Sequence, residues 1–171
     1  MMRWGFRHPN DPLLIALLYA RNERAGEAVR SYLVRMAAIL VNIDVPDLEQ
    51  GIRFYTTGFE LRLARRLGPG FAELLGAGAP IYLLENAAGT APFLAASVQR
   101  DYARHWTPLH LDFVVPDLDT ALARALAAGA TQESGPSEHA YGRLVLLADP
   151  FGHGVCLLQF NAQGYDSITT P

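Results

Sequence analysis

The stretch from Leu109 to Ala130, LHLDFVVPDLDTALARALAAGA, repeats an earlier one, Leu40 to Glu60, LVNIDVPDLEQGIRFYTTGFE, at an offset of 70 positions. Val45-Pro46-Asp47-Leu48 returns unchanged as Val115-Pro116-Asp117-Leu118. In each copy a strand-like alternation ends at the proline, the aspartate caps the start of a helix, and apolar residues then recur at helical spacing. In the first copy Ile39, Val41, Ile43 and Val45 share one face and Leu40, Asn42 and Asp44 the other. In the second, Leu109, Leu111 and Phe113 oppose His110, Asp112 and Val114. The period is too long for a solenoid and fits a duplicated module.

Outward from each copy the pattern is strand, helix and three strands. After the first helix, Leu61 to Arg66, Phe71 to Leu75 and Ile81 to Glu85 read as short strands, separated by turns at Gly68-Pro69-Gly70 and Gly76 to Pro80. After the second, Gly129 ends the helix, Thr131 to Glu133 reads as a short strand, and Arg143 to Ala148 and Val155 to Phe160 flank the turn Asp149-Pro150-Phe151-Gly152. The spacing predicts an α+β chain of two tandem βαβββ modules, at 36–86 and 108–162, joined by a linker at 87–107 and followed by a polar tail at 163–171. Residues 1–35 have no counterpart in the second half. Asp11-Pro12 starts an amphipathic helix there, read as an N-terminal helical extension.

Composition narrows the function classes. The chain has 171 residues, half of them hydrophobic and 18% charged, which suits a folded domain with a proper core. Its 17 acidic residues outnumber 14 basic ones and no basic stripe is interleaved with aromatics, so a nucleic-acid partner is not indicated. No apolar run approaches the roughly 20 residues of a membrane span. The single cysteine, Cys156, forbids an intrachain disulfide and a thiolate metal cage, and points to a reducing, cytoplasmic setting. No phosphate-cradling loop or serine-hydrolase elbow occurs.

The residues VPDLEQGIRFY in the first module, HLDFVVPDLDTAL in the second and the terminal DPFGH resemble the vicinal oxygen chelate superfamily, which includes glyoxalases, extradiol dioxygenases and bleomycin-resistance proteins. The resemblance spans roughly residues 36–162. It implies two curved sheets lining an open cavity. In metal-dependent members, one residue from the first and one from the fourth strand of each module bind a divalent ion that stabilises enolate charge or activates dioxygen. Carried over by position, those four are Leu40, Tyr82, His110 and Cys156. Only His110 is an ordinary ligand, so the resemblance implies no usual metal site and no cofactor.

The cavity wall implied by the resemblance and the strand parity comprises Leu40, Asn42, Asp44, Tyr82, Leu84, His110, Asp112, Cys156 and Leu158, with Arg143 a candidate clamp for an anion or else a surface ion pair. His110 with Asp112 is the candidate catalytic pair. The carboxylate would orient the imidazole as an acid or base, or the two would simply hydrogen-bond inside the cavity. Cys156 lacks a basic neighbour and reads as a small buried hydrophobe. Tyr102 to Trp106 forms a lid or a strap between modules, the strap being the simpler reading, and His153 is given no role. The first expectation is a metal-free protein that binds a small, partly apolar organic molecule, in the manner of drug-sequestering members. The alternative is a lyase, isomerase or dioxygenase in which His110 is a metal ligand or base. A homodimer paired through strand edges is a further expectation.

Overall fold

The computed structural model describes residues 39–105 and 107–170. The expected N-terminal helix at 1–35 and Trp106 of the expected strap lie outside the described residues. From Val41 onward the chain forms one compact unit.

Two four-stranded sheets repeat the same topology. In the first module β1 (Val41–Val45), α1 (Leu48–Gly58), β2 (Arg62–Arg66), β3 (Phe71–Leu75) and β4 (Ile81–Glu85) give the order β1-β4-β3-β2, with β1 parallel to β4. In the second, β5 (Leu111–Val114), α2 (Leu118–Ala127), β6 (Thr131–His139), β7 (Gly142–Ala148) and β8 (Gly154–Phe160) give β5-β8-β7-β6, with β5 parallel to β8. The fold is therefore the α+β pair of βαβββ modules expected from the repeat.

Both helices start where the repeated aspartate places them. The Asp47 carboxylate accepts from the Gln50 N–H at 2.8 Å, and that of Asp117 from the Thr120 N–H at 3.1 Å. A second cap arrives from the neighbouring strand of each sheet: the Leu48 N–H donates to Glu85 and the Leu118 N–H to Gln159. Helix starts leave such donors unpaired, so each module closes its first strand–helix joint with a side chain from its last strand.

Strand parity sorts the core. Ile43 and Val45 are buried against α1, as are Ile81 and Leu83 on β4. Gly51 lets α1 settle close to the sheet, since a Cβ there would lie 3.2 Å from both Leu83 and Val45. The modules share one core. Phe54 of α1 meets Phe151 edge-on at 6.2 Å between centroids, and Phe59 meets Phe113 of β5 at 4.4 Å.

Four boundaries differ from the sequence reading. Ile39 and Leu40 precede β1, Leu109 and His110 precede β5, and all four residues are exposed. β6 runs on to His139, past the expected end at Glu133, because Gly135-Pro136 is accommodated on an edge strand by two register shifts against β7. The tail contains a 3-10 helix, Gly164–Ile168, whose Tyr165 packs edge-on against Phe160 at 4.8 Å.

Candidate functional site

The faces opposite the helices carry the expected wall residues. On the first sheet, Asn42, Tyr82 and Glu73 are cross-strand neighbours with Arg65 beyond, and Asp44, Leu84 and Phe71 form the next row. The Glu73 carboxylate is buried. It accepts from Arg65 Nε at 2.6 Å and Nη2 at 3.1 Å, and from the Tyr82 hydroxyl at 2.7 Å. The Arg65 hydrogen bond, then that of Tyr82, hold its carboxyl below the usual range, while Glu73 raises the Tyr82 phenol. Tyr82 is thus committed to a carboxylate on its own sheet.

On the second sheet Asp112 pairs with Cys156 and Val114 with Leu158. His110 Nε2 lies 3.3 Å from Asp112 Oδ1, and one donor atom each from His110, Asp112 and Cys156 falls within 4.8 Å of the others. Burial first, then the neighbouring Asp112 carboxylate, pushes the Cys156 thiol up to about 12. At neutral pH it is a protonated, buried group rather than a nucleophile.

Two adjoining hollows, each of about 190 Å³, meet at Thr107, His110, Gly154 and Val155. The first lies over the second sheet. Its floor is Leu146 and Cys156, Leu147 and Val155 border it, and its polar groups are His110 and the ion pair of Arg104 with Glu133. Arg104 Nη2 donates to Glu133 at 2.8 Å and lies where a side chain on Gly154 would begin. The second hollow lies in the seam between the sheets, bounded by β1 from Val41 to Asp44, by Leu109 to Leu111 and by His153. His153 Nε2 donates to the Asp44 carbonyl at 2.9 Å, so it carries the ring proton on that nitrogen.

The wall residues therefore separate. His110, Asp112 and Cys156 come together over the second sheet, with Leu158 buried in the next row, and Asn42 and Asp44 share the seam hollow with His110. The Asp44 side chain faces the linker instead of His110: its carboxylate accepts from Arg100 Nε at 2.7 Å and Asn86 Nδ2 at 2.9 Å. Tyr82 and Leu84 line neither hollow. Leu40 precedes the strand. Of the two readings of Arg143, the ion pair holds and the anion clamp does not. Arg143 shares strand parity with the buried Val145 and Leu147, so it points to the helix side and binds both oxygens of Asp119 at 3.0 Å, away from the hollows. The Tyr102 region is a strap: the Tyr102 hydroxyl donates to the Asn86 carbonyl at 2.7 Å and the His105 N–H to that of Gly152 at 3.3 Å. Sequence reading missed Arg104, Glu133, Thr107 and the use of His153. Their partners are distant in the chain, and no local pattern marks them.

Of the four positions that bind metal in metal-dependent relatives, Leu40 has no donor and the Tyr82 hydroxyl is given to Glu73. They do not make up a ligand set. The cluster of His110, Asp112 and Cys156 uses only two of those positions.

Residues 40–158 match the glyoxalase-like domain family. No curated protein matches the chain in sequence. Among solved structures, it is similar to a glyoxalase/bleomycin resistance protein/dioxygenase family enzyme from Burkholderia phytofirmans, with 24% identity over 71% of this chain and 97% of that one and a TM-score of 0.57. It is also similar to the fosfomycin resistance protein FosX from Listeria monocytogenes, with 18% identity, 75% and 96% coverage and a TM-score of 0.57. TnmS3, an antibiotic binding protein from a Streptomyces species, shares 22% identity over 74% and 97% of the chains with a TM-score of 0.52. The family match covers most of the chain and the topology agrees throughout, so the chain belongs to the glyoxalase-like domain family of the vicinal oxygen chelate superfamily.

Proposed function

We infer that this protein binds a small, partly apolar organic molecule, without a metal, in the hollows that meet at His110. The observation that carries the reading is the make-up of the first hollow: an apolar floor of Leu146 and Cys156 beneath His110, whose ring Asp112 approaches from outside the hollow, and the ion pair of Arg104 with Glu133. A largely apolar concavity with a few fixed polar groups is the usual form of a small-molecule site. Titrating the isotope-labelled full chain with a library of drug-sized aromatic and heteroaromatic compounds tests it by NMR. Binders should shift the backbone signals of Thr107, Gly154, Val155 and Cys156. A library in which no compound moves those four signals would sink the reading.

The cluster of three donor atoms within 4.8 Å favours one second reading, an enzyme in which His110 and Asp112 hold a divalent ion. Elemental analysis after incubation with Zn, Ni, Mn or Fe(II), beside the same measurement on His110→Ala, separates the two. Stoichiometric metal that disappears in the variant puts the enzyme first, and background metal in both leaves the binding protein.

A further inference from the structure

β1 is an outer strand. β4 covers one of its edges and no strand among the described residues covers the other. The Val41 N–H donates to the Pro80 carbonyl at 3.1 Å, and the Asn86 N–H donates to the Val45 carbonyl at 2.9 Å. Alternate residues of a strand turn both backbone groups to the same neighbour. Val41, Ile43 and Val45 therefore bond toward β4, and Asn42 and Asp44 turn theirs to the free edge.

That edge is one wall of the seam hollow, which is lined by β1 residues and by Leu111 and Val155 of the other sheet but by no residue of β4. Among the described residues one of its four backbone groups is used, the Asp44 carbonyl, by His153. The Asn42 N–H, the Asn42 carbonyl and the Asp44 N–H make no hydrogen bond to another described residue. A bare edge normally invites another strand. Here His153 stops the ladder after one residue.

We propose that the seam hollow selects a peptide-like small molecule, one acylated amino-acid amide unit, that pairs with Asn42 as residues pair across an antiparallel ladder. The Asn42 N–H donates to a ligand carbonyl, and the Asn42 carbonyl accepts from the ligand N–H of the same unit. The blocked Asp44 carbonyl at one end and the start of β1 at Val41 at the other limit the match to one unit, which favours a short compound over a protein strand. His110 borders both hollows, so a group carried beyond the amide reaches the apolar floor over the second sheet. This inference rests on the binding function proposed above and adds the chemical class of the ligand.

The test uses the labelled full chain and two probes, N-acetyl-L-leucine methylamide and its analogue methylated on the leucine nitrogen, which lacks the donor for Asn42. The first probe should shift the Asn42 and Asp44 amide signals, and the second should bind about tenfold more weakly, the worth of one well-placed hydrogen bond. Asn42→Pro removes the N–H that faces the hollow and leaves the bonds to β4, a substitution an edge strand tolerates. It should weaken the first probe by about tenfold, whereas Asn42→Ala should not. If the proline variant does not fold, the probe pair alone decides. Equal binding of both probes overturns the proposal. So does a first probe that moves only Cys156 and Leu146, an outcome that leaves the binding function intact, or one that moves neither hollow, after which the compound library alone judges that function. An Asn42 signal that shifts with protein concentration before any probe is added means a second copy pairs on this edge, and also overturns it.

Discussion

The Tyr55 hydroxyl donates to the Asp149 carboxylate at 2.7 Å, joining residues 94 positions apart with both side chains buried. Asp149 also accepts from the Phe151 and His153 N–H groups at 2.9 and 2.8 Å, so one carboxylate folds the turn between β7 and β8 and ties it to α1. Tyr55→Phe leaves the carboxylate its two backbone donors and removes the third. Urea unfolding should show a loss of about 2 kcal/mol. An unchanged midpoint would mean that the modules do not depend on this bond.

The same pair gives stability a pH signature. Burial, then the Asp149 carboxylate, holds the Tyr55 phenol well above its usual 10. Above pH 10 the unfolded chain loses this proton while the folded chain keeps it, so stability is fully present below pH 10 and falls as pH rises past it. Tyr102 and Tyr82 are raised too and add to the fall. The part due to Tyr55 is the amount by which the wild type falls more steeply than Tyr55→Phe. Parallel curves would refute the assignment.

Much of this architecture is legible in the sequence, and the reason is locality. The repeated Val-Pro-Asp-Leu marks both helix starts because the cap and the helix it serves are three residues apart, and β3 and β4 stand where turn residues bracket apolar runs. β6 extends further than its pattern because pairing with β7 overrides the Gly-Pro break. The site is harder to read. Parity places His110, Asp112 and Cys156 on one face, but Arg104 meets Glu133 and His153 meets Asp44 only through the packing of the strap and the two modules. The sequence left Arg143 open between an anion clamp and a surface ion pair because its partner Asp119 sits on a helix packed against the opposite face.

With its thiol near 12, Cys156 exists as thiolate in only about one molecule in 10⁴ at pH 8. Labelling by a thiol-specific disulfide reagent at that pH should be slower than in the urea-unfolded chain by about three orders of magnitude or more. Asp112→Asn removes one of the charges that raise the thiol and should speed labelling several-fold. Burial, the larger cause, remains. Native labelling at the unfolded rate would contradict both the burial and the raised thiol.

The linker between the modules carries a loop closed at its base. The Gly89 N–H donates to the Arg100 carbonyl and the Arg100 N–H to that of Thr90, both at 2.8 Å, and the Arg100 guanidinium reaches Asp44 and the Ala91 carbonyl. The tip exposes Phe93 and Leu94, the latter almost completely. Arg100→Ala removes the side-chain clasp and leaves the backbone bonds. Chymotrypsin should then cut at Phe93 or Leu94 about tenfold faster, reflecting easier local opening, while far-UV circular dichroism stays unchanged. Cleavage at the wild-type rate would place the restraint in the backbone bonds alone.

Gly152 tests whether the strap shapes the hollow. It sits at φ 87°, a conformation L side chains rarely adopt, and a Cβ there would lie under 3 Å from the carbonyl oxygens of both Tyr102 and Ala103. Those atoms are strap backbone, so they yield only if the strap moves, and Arg104 would be carried away from Glu133 with it. Gly68 is the control, because it too has positive φ, 112°, but nothing lies within 4 Å of a Cβ placed there. Gly68→Ala should cost about 1 to 2 kcal/mol from the backbone alone. Gly152→Ala carries that cost and the collision, so its loss should exceed the control by about 2 kcal/mol, typical of strain at a packed position. The strap's displacement should also shift the NMR signals of Glu133 and Gly154, which Gly68→Ala leaves in place. Equal losses in the two variants would show that the strap yields freely and does not fix the position of Arg104.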